Sequence, residues 1–194
     1  KQDTNPEKLA DIRKDADERF TSALQVLDAR KTAAAGIRKD DDQGSEVPLL
    51  VTFLAIGRMH YYHSLVHPAD ALLAKRKVEL ALTTLEEFDL EFSGTFAAYE
   101  AKLTVASCYV RQGNMNDALL ACDDAIGLRT NYDKDAKTGI YKVDRDAADV
   151  ISAAVLQKTL VLEEAKDSAG VIAACKDYFA TIPSALDARS GKDI

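Results

Sequence analysis

The chain carries 194 residues, 47% of them hydrophobic, enough to bury a substantial interior while the charged side chains stay solvated. Lys and Arg number 25 against 32 Asp and Glu, and the net charge of −7 opposes a phosphate backbone, so no nucleic acid is expected as a partner and basic or neutral protein segments are. No apolar run approaches the roughly 20 residues a membrane-spanning helix needs, and only nine Gly and four Pro interrupt stretches rich in Ala, Leu, Lys, Glu and Asp, which points to an all-α protein without membrane insertion.

Asn5-Pro6-Glu7 reads as the start of a first, long helix, with Asn able to cap free backbone donors and proline pre-set for the first turn. Leu9, Ile12, Ala16, Phe20, Leu24 and Leu27 keep to one face of it, and Gly36 offers a stop. Residues 37–47 are charged and lack an apolar period, which predicts a linker loop. A second helix starts near Pro48 and ends before Pro68, because proline disfavours helical geometry at His67. A third runs from about Ala69 to Phe92, with Leu72, Val78, Leu80, Leu82, Leu85 and Phe88 supplying apolar surface, and Ser93-Gly94 breaks it. Helices four and five divide at Gly113. Residues 130–144 form a polar excursion far longer than the usual helix connection, read as a solvated insertion or a recognition loop. Helices six and seven follow as Arg145–Ala165 and Ser168–Ile182, Pro183 closes them, and 184–194 form a weakly ordered tail.

Between Ala98 and Leu128 small and large residues alternate at the spacing two tightly packed helices require: Ala106, Tyr109, Gly113 at the turn, Met115, Ala118, Cys122 and Ala125. This stretch resembles a tetratricopeptide (TPR) repeat. It departs from the family pattern at Lys102, Met115, Cys122 and Thr130. Val171, Cys175 and Tyr178 repeat the pattern in the last helix, displaced from Ala118 by more than one family period of about 34 residues, with the excess falling at the polar excursion. Leu54, Gly57 and His60 echo it in the second helix. The resemblance implies a right-handed solenoid of three helix pairs over 48–183, about seven helices in all with the long first one.

The residues offer no catalytic constellation: there is no glycine-rich phosphate loop, nucleophile elbow, His-Glu-x-x-His or Cys-x-x-Cys, and no cofactor is expected. Asp40, Asp41 and Asp42, like Glu163 and Glu164, read as solvated acids. Cys108, Cys122 and Cys175 sit in apolar helical patterns as small hydrophobes. His60, His63 and His67, spaced three and four apart, could share one helical face and ligate a metal. Pro68 and the lack of any acid between Gly57 and His67 oppose that, so the expected reading is one packed and two exposed histidines.

The TPR resemblance implies a non-enzymatic scaffold or adaptor that takes a peptide or partner helix on the concave face of its first helices. The matching positions are Leu54, Arg58, Tyr61 and Tyr62, then Glu100, Leu103, Ser107, Val110 and Arg111, and finally Leu156, Leu160, Glu163 and Glu164. Aromatic and aliphatic side chains would supply contact area and the charges would set register. The lysine, asparagine and arginine clamp by which some members grip chaperone tails is missing. Two other readings stand beside this one: stacking with further repeats or another copy of the chain, and a metal site on the histidines. The polar start at Lys1, without methionine, fits either a removed export signal or excision from a larger intracellular protein.

Overall fold

A computed structural model describes residues 6–40 and 46–182. The described residues are all-helical: α1 (Pro6–Asp40), α2 (Glu46–Ser64), α3 (Leu72–Glu91), α4 (Phe96–Gln112), α5 (Met115–Ile126), a 3-10 turn (Gly127–Asn131), α6 (Arg145–Glu164) and α7 (Ser168–Thr181). No membrane-crossing helix is found among them. The chain divides into two compact units, Lys1–Ser93 and Gly94–Ile194.

In the first unit α2 packs against both α1 and α3. Its interior is built from Leu49, Phe53 and Ile56 of α2 and Val78, Leu85 and Phe88 of α3, with Leu24 and Ala34 from α1. The Phe53 and Phe88 rings meet edge to face at 5.8 Å, and the Lys31 ammonium lies over the Phe53 ring, 3.3 Å from its centre. At Gly57 α2 and α3 are packed tightly, since a Cβ there would stand 2.6 Å from Leu85 Cδ2.

Three expectations for this unit change. Gly36 does not stop α1, which continues to Asp40, so 37–40 are helix rather than linker. Glycine ends a helix when the chain turns left-handed there, as at Gly113, and Gly36 is not among the glycines with positive φ. Asp41, Asp42 and the rest of 41–45 lie outside the described residues. Ile12 and Leu9 are exposed, so the apolar stripe of α1 is covered only from Ala16 onward. Leu54 is buried rather than presented on a partner face.

In the second unit α5 packs on α4 and α6, α6 on α7, and α4 also touches α6. Ala106, Ala118, Cys122 and Ala125 are fully buried, which is what close backbone approach demands of small residues. A second apolar cluster joins Ala125, Ile126 and Leu128 to Val150, Ile151 and Ala154 of α6, with Tyr99, Leu103 and Tyr178 packed around it. Each helix start has a side-chain cap: Thr95 accepts from Ala98 N, Asn114 from Asp117 N, Asp144 from Ala147 N and Asp167 from Gly170 N. Gly113 makes the α4–α5 turn at φ 77°.

The excursion 130–144 has internal order. Asp135 Oδ1 accepts from the Lys137 and Thr138 amides at 2.9 and 2.8 Å, Gly139 turns at φ 75°, and Lys134 pairs with Tyr141 in an isolated bridge. Tyr141 N donates to Thr181 O at 2.8 Å and Tyr132 donates to Asp144 at 2.8 Å, fastening the loop to α7 and to the start of α6. Pro183 and the tail 184–194 lie outside the described residues.

Candidate functional site

The exposed face of α6 follows from its period. Ala147, Val150, Ile151, Ala154, Val161 and Leu162 turn inward, leaving Ala153, Leu156, Leu160, Glu163 and Glu164 outside on the opposite side. Leu156 is 62% and Leu160 52% exposed, one turn apart, and the stripe ends in two solvated carboxylates. Gln157 Nε2 lies 3.5 Å from Ser107 Oγ, which sets this part of α6 beside the middle of α4. Glu100, Leu103, Ser107, Val110 and Arg111 are half-buried along α4. The sequence-matched residues of α4 and α6 thus belong to neighbouring helices of one unit. In the other unit Tyr62 is exposed, with its ring 5.6 Å from that of Tyr61, and Arg58 and Tyr61 are half-buried.

A groove of about 540 Å³ opens on another side of the second unit, between α5, α6 and α7, over Leu119, Ile126, Val155 and Leu162. Two ion pairs flank it, Lys158 to Asp123 and Arg129 to Asp177, each at 2.6 Å. Its charged groups are therefore turned to each other.

The histidines are arranged differently from the expectation. Hydrogen bonds at the end of α2 tighten to i→i+3, Val66 N to His63 O and His67 N to Ser64 O, so His67 leaves the helix. Pro68 has the foreseen effect on the backbone, yet the two imidazoles still converge. Asp17 of α1 meets both: its Oδ1 stands 2.8 Å from His63 Nε2 and 2.8 Å from His67 Nε2. Phe20, one turn further along α1, stacks on the His63 ring at 4.9 Å. The reading of one packed and two exposed histidines is corrected: His63 is fully buried and His60 and His67 are partly covered, because α1 lies over the end of α2. His60 does not join the cluster of Asp17, His63 and His67.

The electrostatics follow burial. Burial opposes ionisation of Asp17, but hydrogen bonds from His67 and His63 outweigh it and hold the carboxyl below its ordinary value. Burial pushes the His63 imidazole down against the pull of Asp17, and Lys77 of α3 adds to the depression. Neutral His63 therefore donates from Nε2 to an ionised Asp17, leaving Nδ1 as an enclosed acceptor without a partner among the described residues. Burial, assisted by Lys77, takes His60 down to about 4. Burial pushes the Cys108 and Cys122 thiols up to about 12, which suppresses the reactive thiolate.

Compared with family models, curated proteins and solved structures, the chain gives no match.

Proposed function

We propose that the second unit is a protein-interaction module of TPR-like helix pairs, and that the face shared by α4 and α6 receives an amphipathic segment of another protein. The observation that carries this reading is the α6 stripe, where Leu156 and Leu160 are more than half exposed and run directly into Glu163 and Glu164. An apolar pair beside paired carboxylates, on a chain of net charge −7, complements a segment with two apolar anchors followed by Lys or Arg. The buried small residues Ala106, Ala118 and Ala125 and the left-handed turn at Gly113 support the repeat reading. The role is binding rather than catalysis.

Selection of displayed peptides against the full chain tests this. Enriched peptides should share an apolar pair next to basic residues and should lose binding to a Leu156→Ser, Leu160→Ser variant. Peptides without that pattern, or peptides that bind the variant equally well, would exclude the α6 face.

A second reading is favoured by α7, where Ile172 and Phe179 form an exposed apolar stripe and Phe179 is 77% exposed. Such a face suits stacking with a further repeat or with another copy of the chain. Sedimentation of wild type against Phe179→Ser separates the cases: self-association abolished by the substitution supports stacking, and a monomer at all concentrations removes the second-copy form of it.

A further inference from the structure

We propose that Asp17, His63 and His67 form a three-ligand site for a divalent transition metal of the zinc class, with a coordination position left open to solvent. The proposal is independent of the α4–α6 face.

The donor set is two imidazole nitrogens and a carboxylate oxygen, a combination that suits zinc and its first-row neighbours and disfavours calcium or magnesium. Three separate backbone segments supply it: α1, the last turn of α2, and the bend after α2. Among the described residues it is the one group of three metal-ligating side chains that converges, with all three ligand atoms within 4.8 Å of one another. Donors about 2.0–2.2 Å from a shared ion in tetrahedral geometry stand about 3.3–3.6 Å apart. Both Asp17-to-imidazole separations are at hydrogen-bond length, 2.8 Å, so each would widen by about 0.5–0.8 Å as the ion replaces the shared protons. His67 is supplied from the bend beyond the helix, and His63 is held by the stacked Phe20 ring. The side chains are 1% exposed at His63, 16% at His67 and 30% at Asp17, which grades the site from an enclosed rear ligand to a front open to water.

Two features set the strength. Metal at Nε2 moves the His63 proton to Nδ1, which has no acceptor among the described residues, and a missing outer partner of this kind costs about 10–100-fold in affinity. Lys77 of α3 bears its positive charge toward Asp17 and His63 and repels a cation. The site is therefore of moderate affinity, and removal of the Lys77 charge should strengthen it. A trio serving only to hold α1 by hydrogen bonds would not gain metal affinity from that change.

The test uses the full chain stripped with a chelator and titrated with zinc chloride by calorimetry, and with Co(II) by absorption spectroscopy. One equivalent should bind, with Co(II) bands of nitrogen and oxygen ligation and no thiolate charge transfer. Asp17→Asn and His67→Ala should each weaken binding at least about tenfold, His60→Ala should leave it unchanged, and Lys77→Gln should tighten it. Circular dichroism confirms that each variant is folded, and Asp17→Asn is close to isosteric. Absence of saturable uptake with metal in large excess, thiolate bands from the cysteines, or equal affinity in Asp17→Asn and His67→Ala would overturn the site.

Discussion

Asp17 Oδ1 and His63 Nε2 lie 2.8 Å apart although 46 residues separate them in the chain, and this bond fastens the long first helix to the buried end of the second. Its acceptor is charged and its donor enclosed, the circumstance in which a hydrogen bond counts most. Asp17→Ala should destabilise the fold by about 1.5–3 kcal/mol, read from urea unfolding of the metal-free chain. A loss under about 0.5 kcal/mol would mean that α1 is held by its apolar contacts alone.

Stability should fall on acidification. His60 lies at about 4 in the fold against an ordinary 6.5, and His63 is also depressed, both first of all by burial. The native state then binds fewer protons than the unfolded chain, so stability is complete above about pH 6.5 and declines as pH drops toward 4. With solvent screening at half-buried His60 discounted, its share is about 1–2 kcal/mol. Urea midpoints at several pH values should show the decline, and His60→Gln should flatten it. An unchanged slope in that variant would contradict the assignment.

Gly57→Ala isolates packing from propensity. Alanine in a helix interior is favoured by about 1 kcal/mol over glycine, but here the new methyl would press on the buried Leu85 side chain. Overpacking of this kind costs about 1–3 kcal/mol, so the net effect should be destabilising. A higher thermal midpoint in Gly57→Ala would show that Leu85 yields freely.

The cysteines should separate by burial. Cys108 and Cys122 are fully enclosed with thiols near 12, and Cys175 is partly accessible. A thiol reagent at neutral pH should label one site quickly and the other two only on unfolding. Rapid reaction of Cys122 would contradict the α5 packing.

Much of the second unit was legible because its signals are local. The boundaries expected at Gly113, Arg145 and Ser168 coincide with local caps at Asn114, Asp144 and Asp167, and the small residues of α4 and α5 announce close packing of two adjacent helices. What escaped the sequence depends on distant partners. Asp17 joins His63 and His67 only once α1 lies over α2, and the loop around Asp135 is tied to Thr181, forty residues on from Tyr141. Gly36 misleads because glycine permits a stop without requiring one. Leu156 and Leu160, which the TPR resemblance pointed to, are exposed, whereas the enclosure of Leu54 by its neighbours could not be read from spacing.

The most direct test of the proposed interaction surface is the anisotropy of a labelled basic, leucine-containing peptide, recovered by selection, against wild type and a Glu163→Lys, Glu164→Lys variant over a range of salt. Wild-type affinity should weaken with salt, and charge reversal should lower affinity by about tenfold and remove most of that dependence, with the helical fold intact because both residues are solvated. Equal affinity and equal salt dependence in the two proteins would contradict the α6 face as the binding surface.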